Sequence, residues 1–259
     1  MPTAKKTSAG LEMYYEVSGV GAPIVVIPGG LMTIDQMGGL VSGLARTRQV
    51  IAVELQAHGR TRDVERPMTY EHLADDVAAL VAELGIRQAD ICGFSVGAGV
   101  ALQTAIRHPG SIRKLVFFSG VFKGDGEYAE VRAFASTFAA DSPMLAMNRD
   151  EYVRVSGSAE GWPRLVEKTR LLLSQSYDWS PQVAALPMPV LIVAGDSDTL
   201  PVAHALEMFR LLGGETAANV MGGAGRAQLS VLPGTNHFTF LQRLELLQPI
   251  VASFLDSRP

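Results

Sequence analysis

Short apolar runs alternate along the chain with longer segments of helical periodicity. Seven runs have the length and composition of strands. They lie at Leu11–Ser18, Ile24–Ile27, Gln49–Val53, Ala89–Phe94, Lys114–Ser119, Pro189–Ala194 and Ala227–Leu232. Several are almost uninterrupted series of Val, Ile, Leu and Phe, which is typical of strands that are buried on both faces of a parallel sheet.

Helical segments separate these strands. In Tyr70–Leu84, apolar residues recur at helical spacing, with Thr69 as a candidate N-cap and Gly85 as a candidate C′ residue. Pro249 conflicts with one straight helix near the C-terminus, so we expect a late start or a kink there. The alternation predicts an α/β fold, with a mostly parallel sheet and helices on both faces. Further helices are predicted at Val96–His108, Leu206–Leu212 and Arg243–Leu255.

One stretch, Val121–Ala185, interrupts the alternation. It contains several helical patterns and no convincing strand, and it holds both tryptophans of the chain. We therefore expect a core domain formed by residues 1–120 and 186–259, and a helical cap formed by residues 121–185 that covers one edge of the sheet. A Gly/Ala-rich stretch at Thr216–Ala227 is predicted to be a surface loop.

Composition and charge exclude several classes of protein. The 259 residues include 22 basic and 26 acidic side chains, a formal net charge of −4, and 47% of them are hydrophobic. The charge argues against a nucleic-acid partner, and the hydrophobic fraction is sufficient for a packed core. Cys92 is the one cysteine, so no intrachain disulfide is possible. Met1–Gly10 lacks the apolar centre of a signal peptide, and no apolar run is long enough to span a membrane, so we expect a cytoplasmic protein.

The strongest candidate for chemistry is Gly93-Phe94-Ser95-Val96-Gly97, which fits the pattern G-x-S-x-G. Its context is more informative than the motif, because a predicted buried strand runs directly into a predicted buried helix. A serine on such a turn exposes its hydroxyl at the carboxyl edge of the sheet, where α/β proteins bind ligands. We predict that this serine is a nucleophile; the alternative is that it only caps the helix.

A serine hydroxyl needs a base to take its proton. Among the five histidines, His237 follows the last predicted strand and opens at the same sheet edge as Ser95. Three of the others lie in or beside predicted helices, and His58, in a loop after a strand, is a weaker rival. The sixth predicted strand is followed by Asp196 and Asp198. From the spacing alone, either carboxylate could orient the imidazole of His237.

A reaction at a carbonyl group also needs donors for the developing negative charge. Pro28-Gly29-Gly30-Leu31 follows a predicted strand, and its glycines allow backbone N–H groups to approach a substrate closely. We predict that the N–H groups of Gly30 and Val96 form the donor pair, with Leu31 beside them at the substrate. An ordinary glycine turn after a strand is the alternative.

Together these motifs resemble the α/β-hydrolase superfamily, specifically its esterase-like members with a helical cap. The resemblance extends over nearly the whole chain and also rests on Glu54–Thr61 and Asn236-His237-Phe238. In such enzymes the second carboxylate of G-D-x-D is the acid of a catalytic triad. The resemblance therefore implies Ser95 as nucleophile, His237 as base and Asp198 as acid.

Two positions depart from the family pattern. Pro28 stands where many relatives have histidine, and Glu54 stands where aspartate is commoner. Neither position belongs to the triad. Because the candidate nucleophile is serine and not aspartate, the resemblance does not imply dehalogenase or epoxide hydrolase chemistry. It implies hydrolysis of an ester or lactone through an acyl-enzyme, without a cofactor.

Other functions need motifs that this sequence lacks, or share the motifs that it has. The sequence contains no phosphate-binding P-loop, dinucleotide fingerprint or H-E-x-x-H pair, so neither a nucleotide nor a metal is expected. The alternatives that remain are a non-catalytic ligand receptor on the same fold, or a thioesterase, amidase, C–C hydrolase or perhydrolase with the same triad. A homo-oligomer is compatible with the sequence.

The side chains of the predicted cap favour a small ester-like substrate with an apolar group, although core packing is the simpler interpretation for any one of them. The aromatic candidates are Phe134, Phe138, Tyr152, Trp162 and Trp179. The methionines that could add an adaptable lining are Met32, Met37, Met144 and Met147.

Overall fold

The computed structural model describes residues 3–6, 10–222 and 225–257. Eight strands form one sheet in this part of the chain. They are β1 (Thr3–Lys6), β2 (Glu12–Ser18), β3 (Ala22–Ile27), β4 (Arg48–Val53), β5 (Ala89–Phe94), β6 (Ile112–Phe118), β7 (Val190–Ser197) and β8 (Ala227–Asn236). Their order across the sheet is β1-β2-β4-β3-β5-β6-β7-β8. β1 and β2 pair antiparallel with their neighbours and β3 to β8 pair in parallel, which confirms the predicted α/β class.

Helices cover both faces of the sheet. In the described residues they are α1 (Gly38–Leu44), α2 (Tyr70–Glu83), α3 (Val96–Arg107), α4 (Ala129–Ala135), α5 (Ala146–Ser156), α6 (Trp162–Leu173), α7 (Ser180–Ala184), α8 (Val202–Leu211), α9 (Ala217–Gly222) and α10 (Leu244–Asp256). Val25 and Ile27 of β3 share a core with residues of α2, α3 and α8, whereas Ile24 and Val26 share another with α1 and α10. This alternation follows from the two-residue period of a strand.

All seven predicted strands are present as β2 to β8, with bounds that differ by a few residues. β5 has the predicted bounds, whereas β7 continues to Ser197 and β8 to Asn236, closer to the candidate site residues. The sequence does not predict β1. Its four residues, Thr3–Lys6, include one apolar side chain, which is too few to reveal the alternation of a strand.

The sequence also does not predict α1, because three of its seven residues are glycines, which disfavour helices. Two of these glycines allow α10 to pack closely. A Cβ atom at Gly39 would lie 2.4 Å from Leu244 Cδ1, and one at Gly43 would lie 2.2 Å from Gln248 Nε2. Packing against α10 therefore compensates for the low helix propensity of α1.

Two expectations about the C-terminal part of the chain are corrected. The stretch Thr216–Ala227, expected to be a loop, contains α9, where Ala217 and Ala218 favour a helix. A late start of the last helix is wrong, because α10 begins at Leu244 and continues through Pro249. The proline removes one hydrogen bond near the N-terminus of α10, and burial of apolar side chains offsets that loss. These buried side chains are Leu247, Val251, Phe254 and Leu255.

Between β6 and β7 the chain forms α4 to α7, and the pairing of Lys123 with Asp178 is an isolated bridge. This segment is thus helical, as the sequence pattern predicts. A small apolar core joins it to two loops on the sheet side, which contribute Leu31 and Ala57. The other buried members of that core are Leu145, Tyr152, Trp162, Leu165 and Val166. The division into a core domain and a cap domain stays a prediction.

Candidate active site

Ser95 lies on a tight turn between β5 and α3. Its backbone has φ 57° and ψ −121°, which is uncommon for a residue with a side chain. The turn requires both flanking glycines. A Cβ atom at Gly93 would lie 2.0 Å from the Gly97 carbonyl oxygen, and one at Gly97 would lie 2.3 Å from the Pro28 carbonyl oxygen. Ser95 is therefore at the carboxyl end of β5, where the sequence predicts it.

Three of the predicted site residues meet at this edge of the sheet. Ser95 Oγ lies 3.0 Å from His237 Nε2, and His237 Nδ1 lies 2.7 Å from Asp198 Oδ1. The ring of Phe94 stacks on the imidazole with 4.8 Å between centroids, which restricts its orientation. When Nδ1 carries the proton and donates to the carboxylate, Nε2 has a free lone pair. The arrangement can therefore accept a proton from the serine hydroxyl.

Both carboxylate oxygens of Asp198 accept hydrogen bonds. Oδ2 accepts from the Ser119 hydroxyl at 2.5 Å and from Gly195 N–H at 3.0 Å. Oδ1 accepts from Thr199 N–H at 2.8 Å in addition to His237. Burial by itself would raise the pKa of this carboxyl, but the hydrogen bonds from His237, Ser119 and Gly195 hold the pKa below its ordinary value. Asp198 thus presents a negative charge to the imidazole.

The contacts of Asp196 and Asp198 separate two carboxylates that the sequence leaves equivalent. Asp196 accepts hydrogen bonds from the amides of Gly234 at 2.8 Å and Thr235 at 3.0 Å. These two bonds lower the pKa of Asp196. Asp196 therefore fixes the end of β8, which leads into His237, while Asp198 contacts the imidazole itself.

Gly30 and Val96, the predicted oxyanion donors, lie side by side next to Ser95. A Cβ atom at Gly30 would lie 2.9 Å from Val96 Cγ2. Both residues line the same cavity as Ser95 and His237. Val96 is the first residue of α3, so its N–H has no carbonyl partner within the helix. Both predicted donor residues therefore border the cavity next to the candidate nucleophile, and their role as donors stays a prediction.

Leu31, the third predicted binding residue, differs from Gly30 and Val96 because its N–H group already has a partner within the protein. It has a φ of 64°, its side chain lines the cavity, and its N–H donates to His58 Nε2 at 3.2 Å. The Leu31 amide is therefore already engaged, which leaves Gly30 and Val96 as the predicted donor pair. His58 is buried and donates from Nδ1 to the Gln56 carbonyl oxygen at 2.9 Å. Burial lowers the pKa of His58 to about 4, so the ring is neutral at physiological pH, as an acceptor must be.

A second contact ties the loop after β3 to the segment Glu54–Thr61. The buried carboxylate of Glu54 accepts hydrogen bonds from Ile34 N–H at 3.3 Å, Arg60 N–H at 2.5 Å and Arg60 Nη1 at 2.7 Å. Together with His58, this carboxylate supports the loop that carries Gly30. From the sequence, Glu54–Thr61 is recognised only as part of the family pattern, and no role is assigned to it. The structure shows that Glu54 and His58 of this segment contact the loop after β3.

A cavity of about 1000 Å³ opens onto Ser95 and His237. Its wall is largely apolar, and part of it comes from the helical segment. Five of the aromatic and methionine side chains that the sequence points to lie in this wall: Phe134, Phe138, Met32, Met144 and Met147. Tyr152, Trp162 and Trp179 are instead buried among other side chains. A cavity of this volume accommodates a small organic molecule.

Glu127 is a residue of the cavity wall that the sequence does not predict. It lies in the loop between β6 and α4 and lines the cavity together with His237. Burial raises the pKa of its carboxyl, although the charge of His237 acts in the opposite direction. An acidic residue in a glycine-rich loop is ordinarily exposed, so nothing in the pattern around Glu127 indicates its position.

The described residues contain neither a candidate metal site nor a candidate membrane span. No group of three or more His, Cys, Asp or Glu side chains there is suited to hold a metal ion. No helix in the same residues is both long enough and apolar enough to cross a membrane.

Comparison with known proteins gives whole-length matches. The profile of the alpha/beta hydrolase family matches residues 24–248. A non-heme haloperoxidase from Rhodococcus erythropolis is 26% identical over 279 aligned residues, which cover 96% of this chain and 98% of that protein. A 2-hydroxymuconate semialdehyde hydrolase from a Pseudomonas species is 25% identical over 276 residues, which cover 96% of this chain and 92% of that protein.

Solved structures show the same fold. An enol-lactonase from Burkholderia xenovorans has a TM-score of 0.77 at 20% identity, and the match covers 98% of this chain and 100% of that one. A thermophilic esterase from Thermogutta terrifontis also has a TM-score of 0.77 at 20% identity, with 98% of each chain covered. The likeness therefore extends over nearly the whole chain.

Proposed function

The chain belongs to the alpha/beta hydrolase family, and we propose that it is a serine hydrolase that cleaves a carboxylic ester or a lactone. The observation that carries this proposal is the continuous hydrogen-bonded connection from Ser95 Oγ through His237 to Asp198. It joins a hydroxyl, an imidazole and a carboxylate in the arrangement that acyl transfer needs. The two relatives described above are named for other reactions, and the same triad serves several substrate classes, so the ester or lactone class is the part of the proposal that a substrate panel decides.

In the proposed reaction, Ser95 Oγ attacks the carbonyl carbon while His237 Nε2 takes the hydroxyl proton. The charge of Asp198 stabilises the imidazolium that forms, and the amides of Gly30 and Val96 stabilise the oxyanion. Loss of one such donor typically costs about 3 kcal/mol of transition-state stabilisation. His237 then protonates the leaving alcohol, and the acyl group remains on Ser95. A water molecule, deprotonated by the same imidazole, attacks this acyl-enzyme and releases the acid.

In this proposal, the helices between β6 and β7 bind the substrate and take no part in the reaction itself. They act as a cap that contacts the apolar part of the substrate, because they supply Phe134, Met144 and Met147 to the cavity wall. Methionine side chains adapt to apolar groups of different shape. The cap would therefore select the acyl or alcohol group, while the sheet edge carries out the reaction.

A panel of esters, lactones and thioesters of varied acyl length tests the proposal. Wild-type protein is compared with Ser95→Ala, and we expect turnover of esters or lactones that disappears in the variant. Binding of these compounds without turnover would contradict the proposal and favour a ligand receptor. Faster turnover of thioesters or of a C–C bond would contradict the proposed substrate class.

A further inference from the structure

Glu127 lies in the wall of two cavities that meet at Ser95. One is the cavity of about 1000 Å³ described above. The other has about 20 Å³, the space of one water molecule, and Tyr70 and Tyr177 also line it. Ser95 and Val96 line both cavities. Glu127 is thus next to the candidate nucleophile, although it takes no part in the proposed triad.

The Glu127 carboxylate has no ion pair within the described residues. Thr199 lies beside it, and Thr199 Oγ1 also lies 3.4 Å from His237 Nδ1. Arg132 is nearby, but its Nη1 donates to the Gly124 carbonyl oxygen at 3.3 Å. Burial raises the pKa of Glu127, which reflects incomplete compensation of its charge. A cation or an N–H donor that enters the cavity would supply that compensation.

The remaining charged side chains of the large cavity are more exposed, and their balance is negative. Arg154 is the one lysine or arginine among the described wall residues. It pairs with Glu151 at 2.6 Å and also with Asp35. Asp150 adds a carboxylate that pairs at 3.3 Å with Arg149, which is not a wall residue. The described wall therefore offers no free cation to a substrate carboxylate, whereas Glu127 offers a carboxylate to a substrate cation.

We infer that Glu127 selects substrates by charge, so that the site prefers esters whose acyl group carries a positive charge or an N–H donor and disfavours esters that carry a carboxylate. This inference rests on the proposed ester hydrolysis at Ser95. Charges interact more strongly in a largely apolar cavity than in water. An anion near Glu127 is therefore repelled, and a cation is attracted. Discrimination thus includes a repulsive element as well as an attractive one.

The test uses three 4-nitrophenyl esters that share the leaving group and the acyl length. The acyl chain ends in a tert-butyl, a trimethylammonium or a carboxylate group. The first two ends have nearly the same shape and differ in charge. We would measure kcat/KM at pH 8 for wild type, Glu127→Gln and Glu127→Asp. Glu130→Gln is the matched control, because Glu130 is an exposed glutamate of α4 that does not line the cavity.

In the wild type we expect the cationic ester to exceed the neutral one, and the neutral one to exceed the carboxylate, by roughly tenfold at each step. Glu127→Gln should bring the cation-to-neutral ratio close to one. Glu127→Asp should restore part of the preference, and Glu130→Gln should keep the wild-type ratios.

Three results would overturn the inference. They are wild-type turnover of the carboxylate ester as fast as the neutral one, unchanged ratios in Glu127→Gln, or an equal change in Glu130→Gln. If Glu127→Gln does not fold, Glu127→Asp replaces it, because it withdraws the carboxylate by one methylene group, and wild-type ratios in that variant would overturn the inference. Failure of the proposed function is recognised separately, because the neutral ester would then show no turnover that depends on Ser95.

Discussion

The carboxyl edge of the sheet and the helical segment α4–α7 form two walls of one cavity, and they are held in place differently. At the sheet edge, Ser95 follows β5 and Asp198 follows β7, two strands with buried interiors, and His237 follows the partly exposed β8, which pairs with β7. In the helical segment, α4 buries only Ala135 and α5 only Tyr152, whereas α6 and α7 contribute Leu172 and Val183 to the main core of the sheet. The sheet edge is thus more strongly fixed than the part of the wall that α4 and α5 form.

Ion pairs supply further attachment of the helical segment. Lys168 Nζ of α6 donates to Asp63 at 2.6 Å, and Arg164 pairs with the same carboxylate. Arg154 of α5 pairs with Asp35. The Arg164 and Arg154 pairs are exposed, so each contributes little free energy and weakens with salt, whereas Lys168 and Asp63 are largely shielded from water. The comparison indicates that the strands of the sheet place the reacting groups, whereas α5, which carries Met147, depends more on exposed, salt-sensitive contacts.

Loss of the nucleophile at the sheet edge should have the largest effect. Ser95→Ala removes the attacking oxygen and should lower kcat for a neutral ester by roughly ten thousandfold or more. Ser136→Ala, at the end of α4, is the matched control on the other wall and should keep the wild-type rate. Thermal unfolding of both variants shows whether the fold is kept. Substantial activity in folded Ser95→Ala would contradict the account.

Mild acid should destabilise the fold through the sheet side, because His58 and His204 are buried there and the segment α4–α7 has no histidine. Burial lowers the pKa of each ring from 6.5 to about 4. Between these values the unfolded chain binds more protons, so the free energy of unfolding should fall as pH decreases. The slope is at most about 1.4 kcal/mol per pH unit for each histidine.

Urea unfolding at a series of pH values measures this slope. His204→Gln removes one of the two titrating rings and should reduce it. A free energy of unfolding that stays constant between pH 6.5 and 4 would contradict the prediction.

Loosening the loop after β3 should affect catalysis more than binding. His58→Ala removes the acceptor for Leu31 N–H and should displace the neighbouring Gly30 amide. We expect kcat to fall by roughly ten- to a hundredfold with a smaller change in KM, since an oxyanion donor acts in the transition state. His58→Gln, which keeps an acceptor, should recover part of the rate, and His72→Ala is the control. A rise in KM with unchanged kcat would show that His58 acts on binding instead.

A change in the helical wall should have the smallest effect and should depend on the substrate. Phe134 lines the cavity and is 48% exposed. Phe134→Ala should lower the ratio of kcat/KM for long-chain esters to that for acetate by roughly fivefold, which corresponds to about 1 kcal/mol of lost apolar contact. Tyr128→Ala, an exposed aromatic that does not line the cavity, should keep the wild-type ratio. An equal loss on acetate would contradict the division of tasks between the two walls.

The difference between the sheet edge and the helical segment α4–α7 also explains which features the sequence alone predicts. Strands of the sheet are evident because their apolar runs are nearly continuous, and the G-x-S-x-G turn between β5 and α3 marks Ser95. The choice between Asp196 and Asp198 is not evident from spacing, since it depends on which carboxylate faces His237 after folding. The family resemblance supplies Asp198, and the geometry agrees with that choice.

Two other features depend on tertiary contacts that leave no local pattern. The N–H of Leu31 is engaged because His58, which is distant in sequence, packs against the loop after β3. Glu127 reaches the cavity because the loop after β6 folds back towards His237. Likewise, α10 continues through Pro249 because burial against the sheet outweighs the loss of one hydrogen bond.

The most direct test of the central claim is covalent labelling of the protein with a fluorophosphonate, followed by mass spectrometry of the intact chain and of its peptides. Such reagents react with a serine that a neighbouring base activates. The account predicts one label per chain, on Ser95, and none in Ser95→Ala. A label on another residue, or an unlabelled Ser95 in folded protein, would contradict it.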